Sequence, residues 1–195
     1  MLLSATHPIA PFAFKEWAIV CEALGSGDQS LLLRKGGIAE GKKGFGFEHQ
    51  EFFLFPTWFH GQVEKTHPRR ASAILSEAPE VLSLEYVASI EWSDFVTDRK
   101  KLAELAALHI LHESVIEERF HYRDKHQKNE PGIHVAFVRI YRLDAPLQLT
   151  MEKRFGGCRS WVHLPEITLG TLVSVLSDEA HAERRALLDA VIKKS

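Results

Sequence analysis

The stretch Leu31–His60, LLLRKGGIAEGKKGFGFEHQEFFLFPTWFH, constrains the fold more than any other part of the chain. Two strongly apolar runs, Leu31–Leu33 and Phe52–Phe55, bracket Gly36, Gly37, Gly41, Gly44 and Gly46, interleaved with Arg34, Lys35, Lys42 and Lys43. Short apolar runs bounded by turn residues read as strands, and glycines this dense do not sustain a helix. The pattern predicts a strand, a loop that is mobile or faces a ligand, and a second strand returning to the core. A loop that only had to connect two strands rarely combines so many flexible positions with so many ionisable ones.

The remaining segments extend this pattern. Phe14–Leu24 reads as a strand or a short helix, and Gly25-Ser26-Gly27-Asp28 as the turn of a hairpin leading into Leu31–Leu33. Glu51–Phe55 is a second, aromatic strand stopped by Pro56, and Pro68–Glu77 is a short polar helix. Val81–Phe95 shows partial period-two alternation and reads as a strand. Asp98 is an N-cap for a helix carrying Leu102, Leu105, Ala106, His109 and Ile110 near one face, continuing with a break to Arg119. His134–Leu143, apolar on both faces apart from two arginines, suits the inside of a sheet. Gly156-Gly157 is a turn before a short strand in Cys158–Leu164, and Ser177–Lys194 closes as an amphipathic helix. Strands, helix, strands, helix, without βαβ alternation, predict an α+β fold. We expect a single domain over residues 1–195, with a mixed, barrel-like sheet, a central helix and a C-terminal helix over 177–194. The polar segment Asp124–Gly132 is its one plausible hinge.

Composition bounds the function. A formal charge of −2 argues against a nucleic-acid binder that works by bulk attraction, yet 24 Lys and Arg leave room for a local basic face. The N-terminal MLLSATHPIAP lacks a basic signal-peptide start, and no apolar run reaches the roughly 20 residues that cross a bilayer. A cytoplasmic protein without a membrane role is expected. Cys21 and Cys158 match no metal spacing and read as reduced packing residues.

Several constellations could carry chemistry. Gly36, four residues, Gly41 and Lys42 imitate a P-loop, but Lys43 stands where Ser or Thr should bind the metal, and Gly44-Phe45-Gly46 prevents the following helix. A nucleoside triphosphate site is excluded. What survives is flexible backbone beside Arg34, Lys35, Lys42 and Lys43, able to meet a phosphate, or else an ordinary solvated loop. Glu48, Glu51 and His60 flank the FFLF run as candidate acid–base groups, with a strand-end salt bridge as the plainer alternative. His109, His112, His121 and His126, beside Glu113, Glu117 and Glu118, lack the HExxH order, so no metal site is assigned, and nothing in the sequence calls for a cofactor. Arg139 shares a strand face with Tyr141 and Phe137. Together with Arg119, Arg123 and Arg142 it forms either structural ion pairs or an arginine–aromatic face on which a base stacks, as Trp58 or Phe59 could. Cys158 lacks an orienting partner for nucleophilic work. The one Glu-x-Lys string, Glu40-Gly41-Lys42, has no acidic partner strand, so autonomous DNA cleavage is not expected.

The strings KEWAIVCEAL, LLLRKGGI, FEHQEFFLFPTWFH, ERFHYRDKH, VRIYRLDAP and GGCRSWVHL resemble the bacterial family known as Domain of Unknown Function 1802, over roughly residues 14–164. RKGGI and FLFPT carry the resemblance most specifically. No catalytic residue comes with it. Some members of that family are associated with a restriction-endonuclease-like domain, which implies an indirect link to DNA restriction or modification and a protein partner from such a system. The layout of a strand ending in LRKGG, a glycine-rich loop and FFLFPT also resembles ASCH and PUA-like barrels. Those folds read RNA or modified bases in a cleft between strands and a helix.

Three expectations follow. The first is a nucleic-acid-associated domain in which Arg34, Lys35, Lys42 and Lys43 meet phosphates while Trp58, Phe59 or Tyr141 stacks on a base, with Arg139 among the ligand-binding residues. The second is a small hydrolase or nucleotide-processing enzyme using Glu48, Glu51 and His60. The third is a partner-binding protein without a ligand of its own.

Overall fold

The computed structural model describes residues 2–3, 10–35, 45–67, 77–122, 130–165, 167 and 170–193. In chain order the strands are β1 (Leu2–Leu3), β2 (Phe12–Trp17), β3 (Leu31–Arg34), β4 (Glu51–Thr57), β5 (Val81–Val96), β6 (Ile133–Thr150), β7 (Trp161–His163) and β8 (Leu172–Ser174). The helices are α1 (Ala18–Ser26), α2 (Arg99–Glu104), α3 (Glu113–His121) and α4 (Asp178–Ile192), with 3₁₀ turns at Leu105–Leu108 and Lys153–Phe155.

The architecture is the expected α+β one. Eight strands form one sheet in the order β1-β8-β6-β5-β4-β2-β7, with β3 also paired to β6. β2 runs parallel to β4 and the other pairings are antiparallel, so the sheet is mixed. β6 organises it: β5 pairs along one edge, while β3 meets residues 134–137 and β8 meets residues 141–143 on the other.

Period-two alternation sends neighbouring residues to two different cores. Phe14, Phe52, Leu54 and Ala88 face a core covered by the helices through Ile19, Leu24, Leu102, Val115, Ile116 and Leu188. Ala13, Phe53, Phe55 and Val87 face a second core closed by Leu82, Leu84, Leu143, Leu149, Phe155, Val162 and Leu172, which come from strands and one short turn. The sheet therefore curls over itself like a barrel, although its path of paired strands stays open between β1 and β7. Register shifts at Leu84/Tyr86 and Ile90/Trp92 in β5 supply the bend.

Two local expectations are corrected and a third holds. No hairpin joins Phe14–Leu24 to Leu31–Leu33. The chain instead makes strand β2 and then helix α1, because AIVCEAL is apolar almost all round and packs as a buried helix. Gly27, at φ 79°, ends α1 in the left-handed conformation that glycine adopts without strain. Pro56 does not stop β4, which continues to Thr57. There β4 has left β5 and lies parallel to β2, with Pro56 opposite Glu16, so one edge of the strand needs no amide donor. The central helix has the expected Asp98 cap, which accepts from the Lys100 amide at 2.8 Å. It breaks where the Ile110 amide donates to Gln29 Oε1 at 3.0 Å and the His112 amide to the Lys65 carbonyl at 3.0 Å. The short helix expected over Pro68–Glu77 and the hinge at Asp124–Gly132 lie largely outside the described residues.

Candidate functional site

The chemistry gathers where β2 and β3 end beside α3. Glu16 is 1% exposed in β2, and its Oε1 accepts the Trp17 amide at 2.8 Å. The carboxylate faces the charge of Arg119 on α3, itself 6% exposed. Arg119 lays its guanidinium 4.8 Å from the Trp17 ring centre and donates to the Leu33 carbonyl. The next residue, Arg34, sits 5.3 Å over Phe14 and donates to Ser160 Oγ at 3.2 Å. Lys35 continues the line with its ammonium 3.7 Å over Tyr122, just beyond α3, and 3.9 Å from Glu118. Lys65 joins from the far side, 3.4 Å from the same Glu118.

The cluster is electrostatically unbalanced. Among the described residues four cations, Arg34, Lys35, Lys65 and Arg119, face two carboxylates, Glu16 and Glu118. Burial pushes the proton affinity of Arg119 down. Glu16 opposes that shift, and Arg34 adds to it. Burial also lowers Lys35, with Glu118 opposing and then Arg119, Arg34 and Lys65 reinforcing. Three of the four cations rest on aromatic faces, whose quadrupoles stabilise positive charge without neutralising it. The excess positive charge is therefore available to an anion. Lys15 lies on the reverse face of β2, beside Phe55, where it caps the carbonyls of Gly156 and Gly157 at 3.1 and 3.0 Å.

An aromatic wall adjoins Arg34. Trp161 lies 5.0 Å from Phe14 and 4.8 Å from His49, which stacks on Phe12 at 3.7 Å with rings 13° apart. Burial lowers the proton affinity of His49 against the opposing charge of Glu48. The Trp161 indole N–H is buried and has no acceptor among the described residues.

Only part of the expected ligand set comes together. Arg34 and Lys35 belong to the cluster, and Phe59 borders it, 4.8 Å from Trp17. Lys42 and Lys43 lie outside the described residues. Trp58 lines a different cavity, of about 450 Å³, with Leu54, Pro56 and Tyr86. Arg139 is held by Glu91 at 3.2 Å and Asp178 at 2.7 Å, the structural ion pairing that was its alternative reading. It stands five residues along β6 from His134, the partner of Arg34, a span of roughly 17 Å at strand rise. Tyr141 is 7% exposed in the second core. Glu51 opens β4 with Glu48 just before it, and His60 follows the strand's far end, so roughly 20 Å of strand separates them. They do not form one acid–base set. Among the described residues, no three His, Cys, Asp or Glu side chains converge as metal ligands.

Sequence reasoning missed the central role of Glu16, and with it Trp17, Lys65, Tyr122 and Trp161. A signal was present: FAFKEW places an adjacent Lys-Glu pair inside an apolar strand, and both are buried. Buried charges need partners, so such a pair marks a polar site within the core.

These features define an α+β protein whose curled mixed sheet and α3 hold a net-cationic, ring-lined cluster. The chain belongs to the family described as Domain of unknown function (DUF1802), whose model matches residues 13–186. A search of curated proteins finds no match. Two crystal structures are similar to it, both of ASCH proteins from Zymomonas mobilis. A mutant of ZmASCH matches at 10% identity and a TM-score of 0.46, covering 93% of this chain and 99% of that one. The ASCH structure matches at 11% identity and 0.46, covering 91% and 94%. Among the described residues no helix is long and apolar enough to cross a membrane.

Proposed function

We propose that the protein binds nucleic acid, with Arg34, Lys35, Lys65 and Arg119 receiving phosphate and the adjoining aromatic wall receiving a base. The observation that carries this reading is the surplus of cations over carboxylates at one place in a chain of formal charge −2. Charge is concentrated where it can work rather than spread over the surface. Lys42 and Lys43 follow β3 in sequence and extend the same basic run. RNA and modified bases are the substrates best suited to a ring-lined site that accepts an unstacked base. Within this reading, the protein serves a restriction or modification system in the cytoplasm, alongside a protein partner from that system. The acid–base enzyme reading is disfavoured by the separation of Glu48 and Glu51 from His60 along β4.

Fluorescence anisotropy against single- and double-stranded DNA, RNA and methylated duplex tests this directly. Binding to at least one member is expected, weakening as salt rises and falling about 10-fold in Arg34→Ala and several-fold in Lys35→Ala. Flat anisotropy across the panel at low salt, or binding indifferent to both substitutions, overturns it.

A further inference from the structure

We infer that the cluster takes a terminal phosphate, a phosphomonoester, in preference to the internal phosphodiesters of a strand. This rests on the nucleic-acid reading above and narrows it to a substrate class. Four cations facing two carboxylates leave two positive charges unmatched among the described residues. A phosphomonoester brings close to two negative charges at neutral pH, about −1.5 to −2, whereas an internal diester brings only one. Among the described residues the monoester balances the charge and the diester leaves it cationic.

Access points the same way. Arg119 is 6% exposed, against Trp17 and within electrostatic reach of Arg34. An internal phosphate carries a sugar on each side and stays at the surface, while a chain end can enter with one substituent trailing out. The donors suit a group with three terminal oxygens. Arg34 offers a guanidinium fork, and one of its nitrogens is engaged by Ser160 Oγ at 3.2 Å. Ser160 accepts that bond and keeps its own O–H to donate. The indole N–H of Trp161, the next residue, has no acceptor among the described residues. A buried donor of this kind is costly to leave unmet, and a phosphate oxygen would meet it. The nucleoside attached to the phosphate then lies against Trp161, His49 and Phe12.

Terminal phosphate reaches a site either on a strand end or on a free mononucleotide, and the experiment separates the two. Internally labelled decamers are compared with a 5′-phosphate, with a 3′-phosphate and with hydroxyls at both ends. AMP and adenosine are then used as competitors. A phosphorylated strand is expected to bind at least 10-fold tighter than its hydroxyl counterpart, and AMP to compete where adenosine does not. Arg34→Ala should erase the difference, and Arg34→Lys, which keeps the charge but loses the fork, should restore part of it. Circular dichroism is expected to report an unchanged fold for both variants of this half-exposed residue. Binding of AMP alone, with no strand bound, keeps the terminal-phosphate inference and moves the source to mononucleotides. Equal affinity for phosphorylated and hydroxyl strands overturns the inference and leaves the nucleic-acid reading standing. No binding of strands or AMP overturns both.

Discussion

Two arginine clusters in this molecule arise from similar sequence and end in opposite electrostatic states. Arg139 sits in the apolar strand β6, where Glu91 and Asp178 take its guanidinium and His181 adds a further contact to Glu91 at 3.0 Å. Charge there is satisfied locally, and the cluster fastens α4 to the sheet. Arg34 ends β3, which is also apolar, yet it shares its cluster with Arg119, Lys35 and Lys65, and Lys15 on the reverse face of β2 still feels its charge. Those cations lean on rings and carbonyl oxygens as well as on acids, and among the described residues Glu16 and Glu118 are fewer than the cations they face. A closed ion-pair network leaves nothing over for a ligand, whereas an open one keeps its electrostatic work for something that arrives. The difference lies in the partners, not in the arginines.

The largest expected effect breaks the comparison at its base. Arg119→Ala should cost about 3–5 kcal/mol of unfolding free energy, because Glu16 is left buried without its counter-charge. Arg139→Ala, on a partly solvated network, should cost about 1 kcal/mol. Urea denaturation of both variants measures this, and equal costs would mean that the two clusters are the same kind of object. Next comes Glu16→Gln, expected to destabilise by about 2 kcal/mol while the amide oxygen keeps the Trp17 hydrogen bond. The same change should tighten phosphate binding several-fold by enlarging the cationic excess. Glu91→Gln, made in the closed cluster, should leave that affinity unchanged, so a response to both substitutions would dissolve the distinction.

A third test uses pH. Burial pulls the Glu91 carboxyl upward, but His181 and Arg139 together outweigh it and hold the group below its ordinary value of 4.5. Its contribution, about 1 kcal/mol after solvent screening, is present above 4.5 and is lost as pH falls through the lowered value. Wild type and Glu91→Gln should therefore converge in stability at acid pH, and a gap that persists at pH 2 contradicts the assignment. The smallest effect lies at the other end of the scale. Lys35 is lowered from 10.5, first by burial, so the unfolded chain holds its proton over a window in which the folded chain has released it. Stability should rise with pH across that window, and Lys35→Met should flatten the slope. An unchanged slope would place Lys35 in ordinary solvent.

Much of the fold was legible in the residues. The alternation in Val81–Phe95, the run His134–Leu143 and the Asp98 cap each located an element, because these signals depend on local periodicity and capping chemistry. The false hairpin at Gly25–Asp28 shows the limit. Turn residues announce a reversal of direction, but whether a strand or a buried helix precedes it depends on which surface is there to cover it. Half of the site was legible for a similar reason. Arg34 and Lys35 stand out beside glycine, whereas the link between Glu16 and Arg119 spans the fold and leaves no local trace. Arg139 illustrates the reverse: its strand position advertised a ligand or an ion pair, and only Asp178, on the last helix, decides between them.

The placement of β6 also governs how the chain acquires its structure in time. Leu31 pairs with Phe137 and Leu2 with Val173, so the early strands complete their ladders only with partners from the second half of the sequence. During synthesis the apolar run Leu31–Leu33 emerges long before the strand that will cover its edge. Until residues 133–150 have left the ribosome, that edge is open to any other unpaired strand nearby. Folding of this sheet is thus gated by the arrival of one late segment, and slow or crowded translation exposes it to misassembly.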